Sequence, residues 1–262
     1  MKFTIKHILL LLGPLLILGI LFWLVINYSE PFKRQSSSAI EKGIVFLLTT
    51  EKKFDVGIIL LIQKLNKICH DERLEELWKI KSAEENSNKK LFFELYNSSC
   101  RNQNISELLK EISFFSLLER ITIKAMCCKN IDYNEVLKDI NEVERDVRYN
   151  SIHLLHALSL MKEKGCYGNT LDPLMKELAK ELIAAEDKDT KQEDFSIFCN
   201  NIAFLDVYCE RALFLGYAGF PVKQEWIENI LKCQKENGSW ADSPHTTVLA
   251  LGAIIQYTNT CK

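Results

Sequence analysis

A chain of 262 residues is long enough for one domain of ordinary size with a short segment to spare. Its formal net charge of −2, with 26% charged residues, excludes the strongly basic footprint of a nucleic-acid-binding surface. Ten glycines and five prolines against 47% apolar residues describe a folded, helix-leaning chain and exclude a disordered one.

The N-terminal segment is the first element. Residues 8–26, Ile8 to Ile26, carry no charge. As a helix they would span roughly 28 Å, close to the thickness of a hydrocarbon core. Trp23 and Tyr28 stand where an interfacial aromatic belt would place them. A cleaved signal peptide has a shorter apolar run and a small-residue cleavage site, and Asn27-Tyr28-Ser29-Glu30-Pro31 offers none. The expectation is a transmembrane signal anchor over 1–28, in the bilayer through 8–26, and a single-pass membrane protein. Its orientation is nearly a tie, with Lys2 and Lys6 on one side and Lys33 and Arg34 on the other. A short basic N-terminus favours export of the domain. The nine cysteines favour the opposite: Cys69, Cys127, Cys199 and Cys209 fall in apolar helical runs, where a free thiol packs as a small hydrophobe. The absence of a C-x-x-C pair excludes a zinc ribbon and a thioredoxin-type motif.

Residues 29–38, ending in Ser36-Ser37-Ser38, read as a polar linker. From 39 to 262 the chain is a succession of helical patterns with almost no strand-like alternation. Apolar stripes run over Ile40–Leu48, Val56–Ile68, Ile105–Ile121, Asn134–Val147 and Ile152–Met161. Asp172 is placed to cap a helix with Pro173 in its first turn. Glu186 to Asp194 reads as a charged, solvated loop. Residues 195–218 have only Asp206, Glu210 and Arg211 as charged residues, which predicts a helix buried on all sides. An amphipathic helix over 223–236 and a second buried helix over 244–257 follow. The alternation suits inner helices sheathed by outer ones, with an internal repeat of roughly 40–50 residues. A helical-repeat solenoid is the alternative.

Between the last two helices stands Gln234-Lys235-Glu236-Asn237-Gly238-Ser239-Trp240. This segment resembles the Q-x3-G-x-W repeat of the terpenoid cyclase and protein prenyltransferase superfamily. The resemblance implies an all-α fold of antiparallel hairpins forming a small or incomplete α/α toroid. It also implies a structural turn in which Gly238 takes the left-handed conformation at the helix end, Gln234 bonds loose helix carbonyls, and Trp240 packs over the glutamine.

The candidate chemistry lies on the predicted buried helices. Asp206, Cys209 and Glu210 fall at i, i+3 and i+4, and His245 opens the last helix, where the helix dipole favours the neutral, metal-binding imidazole. Their order resembles the zinc site of the prenyltransferase β subunit, which implies Asp206, Cys209 and His245 as zinc ligands. The family has one residue between Asp and Cys where this chain has two, a rotation of about 100° on a helix. The plain alternative makes Cys209 core filler and pairs Asp206 with Arg211 or a backbone amide. His153 and His156 are one turn apart but have no third ligand at helical spacing. No Asp-x-Asp-Asp acid, Gly-rich phosphate loop or nucleophilic-serine elbow is present. Catalysis is therefore left open. A non-catalytic binding or interaction module is favoured over an isoprenoid- or lipid-binding enzyme, with an apolar ligand or a protein as partner, no nucleic acid, and zinc as the one cofactor in view.

Overall fold

The computed structural model describes residues 30–54, 56–84, 110, 116–192 and 195–259. The expected bilayer span 8–26 lies outside them. Among the described residues no helix is long and apolar enough to cross a membrane. Every regular element among them is helical, so the chain is all-α as expected.

Residues 30–49 form α1. The stretch read as a linker is thus helical from residue 30 onward. Ser36 and Ala39 in it are buried, and Phe32 packs edge-on against Tyr257. Next come α2 (Val56–Cys69) and α3 (Glu72–Glu84). Helix α4 (Leu117–Met126) starts within the apolar stripe expected as one continuous face. Ser116 caps it, and Glu119 bonds back to the Ser116 amide, a reciprocal pair that fixes a helix start. Helices α5 (Tyr133–Glu142) and α6 (Asn150–Glu163) follow.

Helix α7 (Asp172–Thr190) departs from the sequence reading at both ends. Asp172 lies inside the helix, and its carboxylate pairs with Lys162 at 2.7 Å instead of capping. At the other end the helix runs into the expected loop as far as Thr190, with Glu186 fully buried against an arginine from the next helix. The remaining helices are α8 (Ile202–Tyr217), α9 (Gln224–Lys232) and α10 (Pro244–Thr258). A 3-10 turn over Phe195–Asn200 precedes α8, so the segment 195–218 is bipartite. Its first part exposes Ile197 and Ile202, and burial becomes continuous only near Tyr208.

The packing order builds the architecture. Helix α4 packs on α6, α6 on α8, α8 on α10, and α10 on α2. Helices α3, α5, α7 and α9 lie outside this series. Helices α6, α8 and α10 of the series run parallel. Along α8 and α10, Asp206 meets His245, Leu213 lies against Gly252, and Gly216 accepts a bond from Gln256. Along α6 and α8, His153 meets Glu210 and His156 stacks on Phe214. Helix α1 runs the other way along α10: Phe32 touches Tyr257 near the end of α10, while Lys52 reaches the Asp242 carbonyl just before its start.

The cysteines correct another expectation. Cys128 bonds Cys166 and Cys199 bonds Cys233, and Cys69 and Cys127 are in disulfides as well. Among the described residues only Cys209 keeps its thiol. The two pairings span 38 and 34 residues, about one hairpin each, because the cysteines stand at helix ends, where neighbouring hairpins meet.

Candidate functional site: a central cavity and the turn that closes the helix series

The turn after α9 is the clasp of the fold. Trp240 is fully buried, and its indole N–H donates at 2.6 Å to the Ile230 carbonyl near the end of α9, which also accepts from the Cys233 amide. Its backbone N–H donates to the Thr247 hydroxyl in the first turn of α10. Gln234 does not serve the helix carbonyls as expected. Its amide donates to the Gly238 carbonyl at 3.0 Å and to the Ala39 carbonyl of α1 at 2.8 Å. The roles of the two side chains are therefore exchanged: the indole finishes the helix, and the glutamine ties the last hairpin to the first described helix.

Gly238 has φ +87° but lies in the turn, beyond the end of α9, which closes on Cys233 at φ −86°. A Cβ at Gly238 would press on the Lys42 carbonyl, so both conformation and contact call for glycine. Asp242 holds the outside of the turn through Lys235, Asn237 and Ser239. Ser243 then caps α10.

The helices of the series surround a cavity of about 470 Å³. Helices α2, α4, α6, α8 and α10 all line it. Its walls include Leu60, Leu61, Leu118, Leu160 and Phe214. Polar groups gather where the series begins: Glu119, Tyr149, His153, Glu210 and His245. Lys64 lies toward the far end, level with Tyr217, whose ring is 2.9 Å from the Lys64 nitrogen. The cavity is thus apolar in the middle, with a titratable mouth.

Glu210 is the centre of that mouth. Its carboxylate lies 3.3 Å from His153 Nε2. Burial pushes the Glu210 carboxyl up to about 7, with His245 opposing the shift and Asp206 adding to it. Burial, reinforced by His245, brings His153 down to about 4. At neutral pH this pair is a partly protonated carboxyl beside a neutral imidazole. His156, one turn further on, lies face to face with Phe214 at 4.1 Å and is held neutral by burial.

The expected metal ligands come together only in part. His245 Nδ1 lies 3.4 Å from Asp206 Oδ2, so these two meet as the sequence order suggested. Cys209 is fully buried, and its thiol is pushed up by burial first and by Glu186 of α7 second. A protonated, buried thiol is a poor metal ligand. Among the described residues no group of three or more histidine, cysteine, aspartate or glutamate side chains is placed to hold a metal ion. Asp206 and His245 therefore meet, while Cys209 lies about one helical turn along from Asp206 in a fully buried position.

Arg211, suggested as the partner of Asp206, pairs elsewhere. It is 2% exposed, holds Glu186 at 2.8 Å through Nε, and bonds Asp189 through Nη2. The sequence singled out Glu210 and the two histidines one by one but did not assemble them. Their common signal was polarity on otherwise apolar inner helices. Lys64, which follows the apolar run of α2 between Gln63 and Leu65, was missed. No protein-family model, no curated protein and no solved structure shows significant similarity to this chain.

Proposed function

We propose that this chain is a membrane-anchored, α/α-toroid-like domain whose central cavity binds an apolar or amphipathic small molecule. The observation that carries the reading is the cavity of about 470 Å³ lined by the five helices of the series. A volume of this size, with apolar walls and a few convergent polar groups, has the usual character of a ligand site. A solid interior would have favoured a pure protein-interaction scaffold. The contact of α10 with α2 and the bond from Gln234 to Ala39 support a toroid-like closure over an open solenoid.

The disulfides support export of the domain, because such bonds persist in oxidising compartments. Together with the basic N-terminus this favours an extracytoplasmic domain tethered by residues 8–26. Helix α1 starts level with the end of α10, and the cavity mouth lies at its start. An anchor ahead of α1 would place the mouth on the side away from the bilayer, some 30 Å off for a helix of this length.

The test uses the full chain in lipid nanodiscs, with empty nanodiscs as the blank and 4-phenylbutanol as a neutral probe. Calorimetry is expected to show saturable binding, and Leu61→Trp, which fills the cavity, is expected to abolish it. Absence of binding, or binding unchanged by Leu61→Trp, overturns the reading.

A further inference from the structure

We propose that the mouth of this cavity binds the ammonium group of an amphipathic organic cation, with the Glu210 carboxylate as its counter-ion. The inference rests on the reading of the cavity as a ligand chamber and names the class of ligand.

The argument begins with what faces Glu210. Its side chain is 8% exposed, yet it lines the cavity. From its own helix comes Asp206, another carboxylate, whose Oδ1 is buried without a hydrogen-bond partner. From α6 comes His153 and from α10 comes His245, both imidazoles. Helix α4 contributes Glu119, already bonded to the amide and hydroxyl of Ser116. The cavity-lining cation of α2, Lys64, is at the opposite end, its nitrogen over the Tyr217 ring and 3.9 Å from Glu163. Among the described residues no lysine or arginine pairs with Glu210. A buried carboxylate without a cation is costly, so it either takes a proton or gains a positive partner. The protein supplies the first outcome, and a ligand ammonium would supply the second.

The surroundings suit an organic cation better than a bare one. Tyr149 packs on His153 with 4.2 Å between ring centres, Phe214 stacks on His156, and both rings line the cavity that Glu210 lines. Such faces attract ammonium groups. Leu60, Leu61 and Leu160 provide an apolar wall for the attached chain. An anionic ligand would need Lys64 as its anchor, and that nitrogen is buried against Tyr217.

The experiment compares three probes of similar size on the full chain in nanodiscs: 4-phenylbutyltrimethylammonium, 4-phenylbutanol and 5-phenylpentanoate. The quaternary probe has a fixed charge. At pH 8 it is expected to bind at least about tenfold more tightly than the alcohol, a difference of about 1.4 kcal/mol. Glu210→Gln is expected to remove the preference while keeping alcohol binding, and Glu225→Gln, on the exposed side of α9, to leave the preference unchanged. If all three probes bind alike, if the carboxylate probe binds best, or if Glu210→Gln leaves the preference intact, the cation proposal is overturned and the ligand chamber stands. If no probe binds, the chamber itself fails.

Discussion

Glu210 and Arg211 are neighbours in the chain, both are charged, and both are buried, yet they face different worlds. Arg211 points toward α7, where Glu186 and Asp189 answer it. Glu210 points toward the cavity, where, among the described residues, imidazoles and a second carboxylate answer it. One step along a helix turns a side chain by about 100°, enough to move it from a sealed interface to an open chamber. A buried charge satisfied within the protein serves the fold. A buried carboxylate that lines a cavity without a cation beside it is, on the reading proposed above, the one that serves a ligand.

The sharpest way to break that comparison is to remove the satisfied side. Arg211→Met strands Glu186, which is fully buried, and is expected to cost about 3–5 kcal/mol in chemical denaturation. Adding Glu186→Gln to Arg211→Met should return part of the loss, because the orphaned charge is gone. A loss below about 1 kcal/mol for the single variant would mean that the pair is dispensable and that the two sides of α8 do not differ in kind.

The cavity side should answer through pH. Glu210 is raised from 4.5 to about 7 by burial, so between these values the folded protein holds a proton that the unfolded chain has released. Stability from this group therefore falls as pH rises through that window, by up to about 3 kcal/mol. His153, lowered from 6.5 to about 4, works in the opposite direction, since the unfolded chain binds the extra proton there. The two trends partly cancel in the natural protein. Glu210→Gln removes only the first. Its stability relative to the natural chain should rise steadily from pH 4.5 to 7 in denaturation curves taken across that range. A parallel offset at every pH would place Glu210 in the same class as Arg211.

How much of this contrast was legible beforehand follows from what sets each feature. The buried character of α10 and of α8 from Tyr208 onward and the amphipathic character of α9 are local, written in the spacing of apolar residues, and they were read correctly, whereas the exposed start of the 195–218 segment was not. The turn at Trp240 was also found, because a glycine-tryptophan pair between two helices has few structural uses. Its bonding was misassigned, since the partner of Gln234 is Ala39, almost the whole domain away in sequence. The same limit explains Glu186. A run of charges reads as a wet loop until an arginine from another helix is known to lie against it. Cys209 was read correctly as a buried thiol, but Cys69, Cys127 and Cys199 were misread because their pairing depends on which helix ends become neighbours. Which way Glu210 faces is likewise tertiary information: its sequence surroundings match those of Arg211.

The clasp supplies a prediction of intermediate size. Gly238→Ala must hold φ near +87° while placing a methyl group on the Lys42 carbonyl. A loss of at least about 2 kcal/mol is expected. Because this turn ties α9 and α10 to α1, the variant should also speed hydrogen exchange in residues 30–49. Exchange confined to the turn itself would show that the N-terminal helix is held by other contacts.

The smallest expected effect concerns the mouth itself. Glu119 lines the cavity as Glu210 does, but its carboxylate is taken up by the Ser116 amide at 2.9 Å and hydroxyl at 2.7 Å. If satisfaction, not position, decides the role of a charge, Glu119 belongs with Arg211 despite facing the chamber. Ser116→Ala removes the cap and should cost about 1 kcal/mol of stability. Glu119→Gln should likewise touch stability alone and leave the preference for the quaternary ammonium probe within about twofold, a difference below about 0.5 kcal/mol. A loss of preference in Glu119→Gln comparable to that in Glu210→Gln would show that the chamber responds to the total negative charge at its mouth, and that the contrast between satisfied and unsatisfied carboxylates does not govern what it binds.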